Sequence, residues 1–207
     1  MRKIMILGVL MLALPGAALA NPYAVDDAAI TDAGACTTEL AWRDGEREAR
    51  ASFACTPGAV PFLEAGLDVT HDGAAALSPY AKLLLPEPAR GVALAVSAAP
   101  VFASGYQGTE MRLMAGVSLG ESTVLSLNAG RFFARGGEGS NLYGVRIDHE
   151  LGPRYGVVAE WSREEGERAV PAIALRYRPG RGDIELDAGI SVTDSRPRLM
   201  LGFALVR

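Results

Sequence analysis

Beyond its first twenty residues the chain has no long uncharged apolar run, so nothing there can cross a bilayer as a helix of about 20 residues. Helical periodicity is nearly absent as well. Only two histidines and two cysteines occur in 207 residues. His71 and His149 lie in no recognisable Ser/His motif, so a serine-hydrolase chemistry, and enzymatic activity generally, is not expected. Two distant histidines and two cysteines offer no local ligand spacing, and neither a metal nor a cofactor is expected. Asp26, Asp27 and Asp32 are of the type that holds Ca²⁺, and equally the ordinary residues of solvated turns. The chain also lacks a basic stripe. Its net charge is −4 and its basic residues are scattered, which argues against a nucleic-acid partner. Gly136-Gly137-Glu138-Gly139 has no helix pattern after it, so a phosphate cradle is not indicated.

What is present begins with a leader. Arg2 and Lys3 precede an apolar run, Ile4 to Leu14, that breaks at Pro15-Gly16 and is followed by Ala18-Leu19-Ala20. Positive, apolar and small-x-small regions in that order predict a cleaved signal peptide over 1–20, with an uncleaved anchor as the alternative. The mature chain then starts at Asn21. Residues 21–35 show no alternation and read as an irregular periplasmic lead-in. Residues 36–207 read as one β-domain.

From Cys36 onward, apolar residues alternate with polar or small ones. Leu199, Leu201, Phe203 and Leu205 share one face of the last segment, while Arg198, Met200, Gly202 and Ala204 share the other. Alternate residues of a strand point to opposite faces, so this is a strand with one apolar side. Twelve such segments are drawn: 36–43, 47–55, 62–70, 75–85, 92–101, 111–119, 122–132, 141–150, 155–162, 169–178, 183–191 and 198–207. The expected fold is therefore all-β, an antiparallel transmembrane β-barrel of about twelve strands. Nine residues at ~3.3 Å rise, tilted by ~40°, cover roughly 23 Å, close to the ~25 Å apolar band of such barrels.

Alternation does not by itself say which face is inside, and a secreted soluble β-sandwich is the competing fold. Three features favour lipid. Large aromatics gather at strand ends, with Trp42, Tyr143 and Trp161 at one rim and Phe53, Tyr155 and Tyr177 at the other. Connections are expected to alternate in length, with Gly120-Glu121, Leu151–Arg154 and Pro179–Gly182 short, and Phe102–Glu110 and Phe133–Ser140 long outer loops. The even strand count returns both ends of the barrel to the periplasm of a Gram-negative cell, with outer-membrane lipid as the partner.

Cys36 and Cys55 lie in the exported part, where a disulfide persists. If Gly45-Glu46 is a two-residue hairpin loop, residues whose numbers sum to 91 face each other, and the two cysteines sit directly opposite. Two free thiols are the alternative.

The opening Asn21 to Gly34, with Pro22-Tyr23, Asp26-Asp27, Gly34 and then Glu39, resembles that of an exported outer-membrane barrel family associated with the meta pathway of phenol degradation. The resemblance implies a transporter-like protein passing small hydrophobic or aromatic molecules. The residues themselves predict a polar lumen lined by Glu64, Asp68, Lys82, Arg112, Asn128, Arg146, Asp148, Glu160, Arg176, Arg178, Asp183, Glu185 and Asp187. Arg176 and Arg178 should meet Asp183, Glu185 and Asp187 across one turn, either as a stabilising salt-bridge lattice or as a field that selects permeants. Transport is the expected function. The alternative is a structural or interaction barrel, whose lumen would be blocked by side chains or by residues 21–35.

Overall fold

The computed structural model describes residues 23–44, 48–71, 73–180 and 183–206. The expected leader 1–20, Asn21-Pro22, the Gly45-Glu46 loop with Arg47, Asp72, Arg181-Gly182 and Arg207 lie outside them.

Twelve strands form: β1 (Cys36–Arg43), β2 (Glu48–Cys55), β3 (Leu63–His71), β4 (Ala75–Leu84), β5 (Val92–Ala103), β6 (Gly105–Ser118), β7 (Thr123–Ala134), β8 (Ser140–Gly152), β9 (Tyr155–Glu164), β10 (Val170–Tyr177), β11 (Ile184–Thr193) and β12 (Arg196–Val206). Each pairs antiparallel with its sequence neighbours, and β1 pairs with β12, so the sheet closes into a barrel. No helix occurs among the described residues. The apolar face points outward: Leu113, Leu127, Ile173, Leu175, Leu199 and Leu201 are all 40% or more exposed. A closed sheet with an apolar exterior excludes the soluble sandwich and gives a transmembrane barrel.

Cys36 and Val206 lie at one end, here called proximal; the opposite end is distal. Trp42, Tyr143 and Trp161 stand exposed near the distal rim, Phe53 and Tyr155 near the proximal rim. Tyr155 faces Tyr177 across the ladder, with ring centroids 5.2 Å apart.

The expected alternation of loop lengths is not found. Phe102–Glu110, expected as a long outer loop, continues as strand, with a bulge between Val101 and Phe102, and only Ser104 separates β5 from β6. Phe133 and Ala134 likewise remain paired with Thr109 and Gly108. Backbone pairing runs on because both partners extend together, and the longer connections, 56–62 and 85–91, are proximal. At the distal end, Asp194 and Ser195 both take positive φ, 51° and 63°, which makes the two-residue type I′ turn that matches strand twist.

The β1–β2 register places Cys36 opposite Cys55, Leu40 opposite Ala51 and Trp42 opposite Ala49. The cysteines are bonded, with Cα atoms 4.1 Å apart. The ladder runs one step past them: Gly34 N–H donates to Thr56 C=O at 2.8 Å and Thr56 N–H to Ala35 C=O at 3.1 Å. Gly34 turns with φ of 85°, a conformation that suits glycine.

Leu127 on β7 is an outward residue with a counterpart, Asn128, facing in. Leu127→Arg should cost about 2–4 kcal/mol of barrel stability in lipid vesicles, the cost of a basic side chain at mid-bilayer depth. Denaturant titration of the refolded protein measures it; an unchanged midpoint would be incompatible with a lipid-facing Leu127.

Candidate functional site

The inward face alternates between small residues and charges, and the charges meet across neighbouring strands. Arg176 stands opposite Asp187 in the β10–β11 register and binds it through two nitrogens at 2.9 Å each. Arg176 also reaches Asp148 at 3.2 Å and Glu185 at 3.3 Å. Arg178 bonds Glu185 at 2.6 Å and Glu150 at 2.7 Å. Arg146 holds Asp148 through two nitrogens, at 2.7 and 2.9 Å. Across the lumen Arg50 pairs with Asp68 at 2.7 Å, and Arg112 with Glu110. Planar guanidinium forks binding carboxylates bidentately are the stronger class of ion pair, and here Arg176 and Arg146 supply them on the β8–β11 side.

The stretch expected to be a periplasmic lead-in lies inside the barrel. Residues 23–35 form no strand, yet Tyr23, Val25 and Ala28 are among the most buried residues of the protein. Starting from Gly34 at the proximal end, the segment crosses the lumen from the β1–β3 side, past β5–β7, to β8–β12. Thr31 gives its N–H and its Oγ1 to Glu64 Oε2, each at 2.8 Å. Ala28 packs with Ala95 and Met114. Asp26 is bound by Arg112 at 3.0 Å, and Asp27 lies 3.8 Å from Lys82. Tyr23 sits under the Arg146 guanidinium, 5.1 Å from ring centroid to charge, and packs with Val158, Ala174 and Met200. The acidic residues therefore do not converge on a shared cation position; Asp26 and Asp27 each face a basic side chain.

Val25 is admitted because residue 144 is glycine: a β-carbon there would overlap Val25 Cγ2. Space remains on both sides of the segment. A cavity of about 270 Å³, lined by Tyr23, Arg43, Thr70, Ser78 and Val101, lies distally. Two others, about 630 and 390 Å³, lie toward the proximal end. The larger has eight carboxylates, Asp27, Glu39, Glu87, Glu121, Asp148, Glu150, Glu185 and Asp187, against Arg146, Arg176 and Arg178.

Of the residues expected in the lumen, Glu64, Asp68, Lys82, Arg112, Asn128, Arg146, Asp148, Glu160, Arg176, Arg178, Glu185 and Asp187 face inward. Asp183 does not line it. β11 begins only at Ile184, and Asp183 is an exposed rim residue whose carbonyl accepts a bond from Val206 N–H at 2.9 Å. Sequence reading missed Arg50 and Glu110, though each follows the polar alternation of its strand. It also missed the contribution of Tyr23, Val25 and Ala28, a sparse apolar pattern inside an acidic stretch. His149 is on the outer face, with Nδ1 2.9 Å from Thr123 Oγ1, and His71 ends β3 at the distal rim.

Burial works against charging Asp26, but the Arg112 guanidinium, aided by Lys82, Arg50 and Arg146, outweighs it and holds the carboxyl below its ordinary 3.8. A group depressed in the docked state stabilises docking fully above its ordinary value and loses that contribution as pH falls through the docked value. Amide exchange across residues 23–31 should thus stay slow at neutral pH and accelerate as pH drops below 3.8, after correction for intrinsic exchange rates. Gly144→Val should produce the same acceleration at neutral pH, by occupying the space of Val25. Unaltered exchange in this variant would show that the segment does not depend on that contact.

Comparison with known proteins places this geometry. KdgM porin superposes with a TM-score of 0.69 at 11% identity, over 83% of this chain and 98% of its own. The KdgM porin in complex with disordered oligogalacturonate gives 0.68 at 11% identity over the same shares. NanC porin gives 0.60 at 8% identity, over 82% and 98%. At such identities the structural likeness shows the fold alone. No curated protein sequence matches the chain. A family model described as uncharacterised conserved protein UCP029691 matches residues 8–192, a different description from the phenol meta-pathway family that the opening resembles.

Proposed function

The chain belongs to the uncharacterised conserved protein UCP029691 family, and we propose that it is an outer-membrane channel for small polar solutes, held closed in this conformation by its own residues 23–32. The observation that carries the reading is a lumen of inward charges bordering cavities of about 630 and 390 Å³ at one end and 270 Å³ at the other. A filled core would have packed those spaces with apolar side chains. Charged rings set the selectivity of pores of this kind. The ionic lining favours a polar solute over the hydrophobic or aromatic molecule implied by the resemblance. A similar fold has been solved with an oligogalacturonate, which supports passage of polar chains through such a barrel. Export by a cleaved leader and residence in the outer membrane belong to the same proposal, supported by the apolar exterior, the aromatic rims and the porin fold.

The segment inside the lumen favours a second reading, a permanently occluded structural barrel. Planar-bilayer recording separates the two. The wild-type protein should conduct in bursts, with long closures. Replacing both basic residues (Arg176→Gln with Arg178→Gln) should shift the reversal potential toward cation preference, because Asp148, Glu150, Glu185 and Asp187 remain. The doubly conservative change to Lys should leave selectivity near wild type. Complete absence of conductance from folded wild-type protein, at neutral and acidic pH alike, would favour the structural barrel.

A further inference from the structure

Three consecutive residues of the inner segment have every backbone hydrogen-bonding group bound by side chains of the wall. Ala24 N–H donates to Glu160 Oε1 at 3.0 Å and Val25 N–H to Oε2 of the same carboxylate at 2.9 Å. Arg112 Nη1 donates to Ala24 C=O at 3.0 Å, and Arg146 Nη1 to Val25 C=O at 3.1 Å. Asp26 N–H donates to Asn128 Oδ1 at 3.2 Å, while Asn128 Nδ2 donates to Asp26 C=O at 2.6 Å. Glu160 and Arg146 are themselves buried, 6% and 3% exposed. Leaving such groups unpaired is costly, so this set of donors and acceptors is matched to an occupant.

An occupant that satisfies it must offer N–H and C=O groups at peptide spacing. Two neighbouring N–H groups must meet one carboxylate, and a third residue must present both groups to one carboxamide. Side-chain recognition adds to this: Val25 lies over Gly144, where a β-carbon on the wall would overlap it, and Asp26 meets Arg112. We infer that the lumen wall formed by Arg112, Asn128, Gly144, Arg146 and Glu160 is a binding site for short extended peptides carrying an acidic residue, of which residues 23–26 are the resident copy. An exogenous peptide of this class competes with the chain's own segment. That such peptides are also the permeants rests on the channel reading; their binding does not.

The tethered segment has an effective concentration on the order of millimolar, so a competitor must be supplied in that range. The test uses the full-length protein in nanodiscs and NMR-detected exchange of the Ala24 and Val25 amides. Blocked Tyr-Ala-Val-Asp is added, alongside the same peptide N-methylated at its Val, which keeps the Ala N–H but has no Val N–H to donate to Glu160 Oε2. The unmodified peptide should accelerate exchange of both amides, saturably, and the methylated one should not. Glu160→Gln should raise exchange about tenfold without any peptide, as expected for loss of a charged hydrogen-bond partner, and should abolish the competition. If that variant fails to fold, Asn128→Ala provides the same reading at Asp26. No acceleration by the unmodified peptide, or equal acceleration by both, overturns the inference. Vesicle swelling with the peptide as solute is read separately. Competition without flux leaves the site standing and counts against the channel, whereas conductance without competition does the reverse.

Discussion

Hydrocarbon offers no hydrogen-bond partner to a backbone, and the pairing of β1 with β12 answers that constraint by leaving the sheet without an edge. Much else depends on it. Closure at twelve strands fixes a circumference, and an interior face rich in Gly, Ala and Ser cannot fill the resulting space. The interior holds residues 23–35 instead, and the small residues are what let the segment approach the wall: Gly144 under Val25, Ala95 beside Ala28. Width, inner composition and lumenal chain are thus linked consequences of one seam.

The interior charges follow from the same geometry. A guanidinium removed from bulk water must find carboxylates, and the strand register supplies them at fixed positions. Arg176 faces Asp187 directly across the ladder, and Asp148 is shared between Arg146 and Arg176. Sharing makes the pairs a network that spans β8 to β11. The network sits beneath the segment on one side of the lumen, whereas Arg50, Asp68 and Arg112 occupy the other. Each group of charges both braces the wall and defines what can rest against it.

Much of this was legible in the sequence because period-two alternation survives wherever one face meets lipid. The strands and the inward charges other than Asp183 follow from it, and the β1–β2 register and the disulfide follow from the expected hairpin loop between those strands. Loop lengths did not. Alternation weakens at Phe102–Glu110, where the bulge shifts register, and at Asp194-Ser195, where a tight turn forms without the glycine that normally marks it. Asp183 shares the inward parity of Glu185 and Asp187, but parity sets direction only while pairing continues, and β11 begins at Ile184. The segment was the hardest to read. It takes its shape from groups such as Glu160 and Arg146, more than 100 residues away in sequence, and main-chain recognition leaves no periodic trace in the recognised stretch.

Only Ala35 separates Gly34, which turns the segment into the lumen, from Cys36, which begins the seam strand. The seam strand and the segment that fills the interior are therefore one continuous stretch of chain. β1 must find β12 across most of the sequence, the kind of distant pairing that makes closure slow. While it remains open, Glu64, Arg112 and Glu160 lie along a curved, unfinished trough rather than a sealed tube. The N-terminal residues can then settle sideways onto that trough, and the barrel can be born with its interior already occupied.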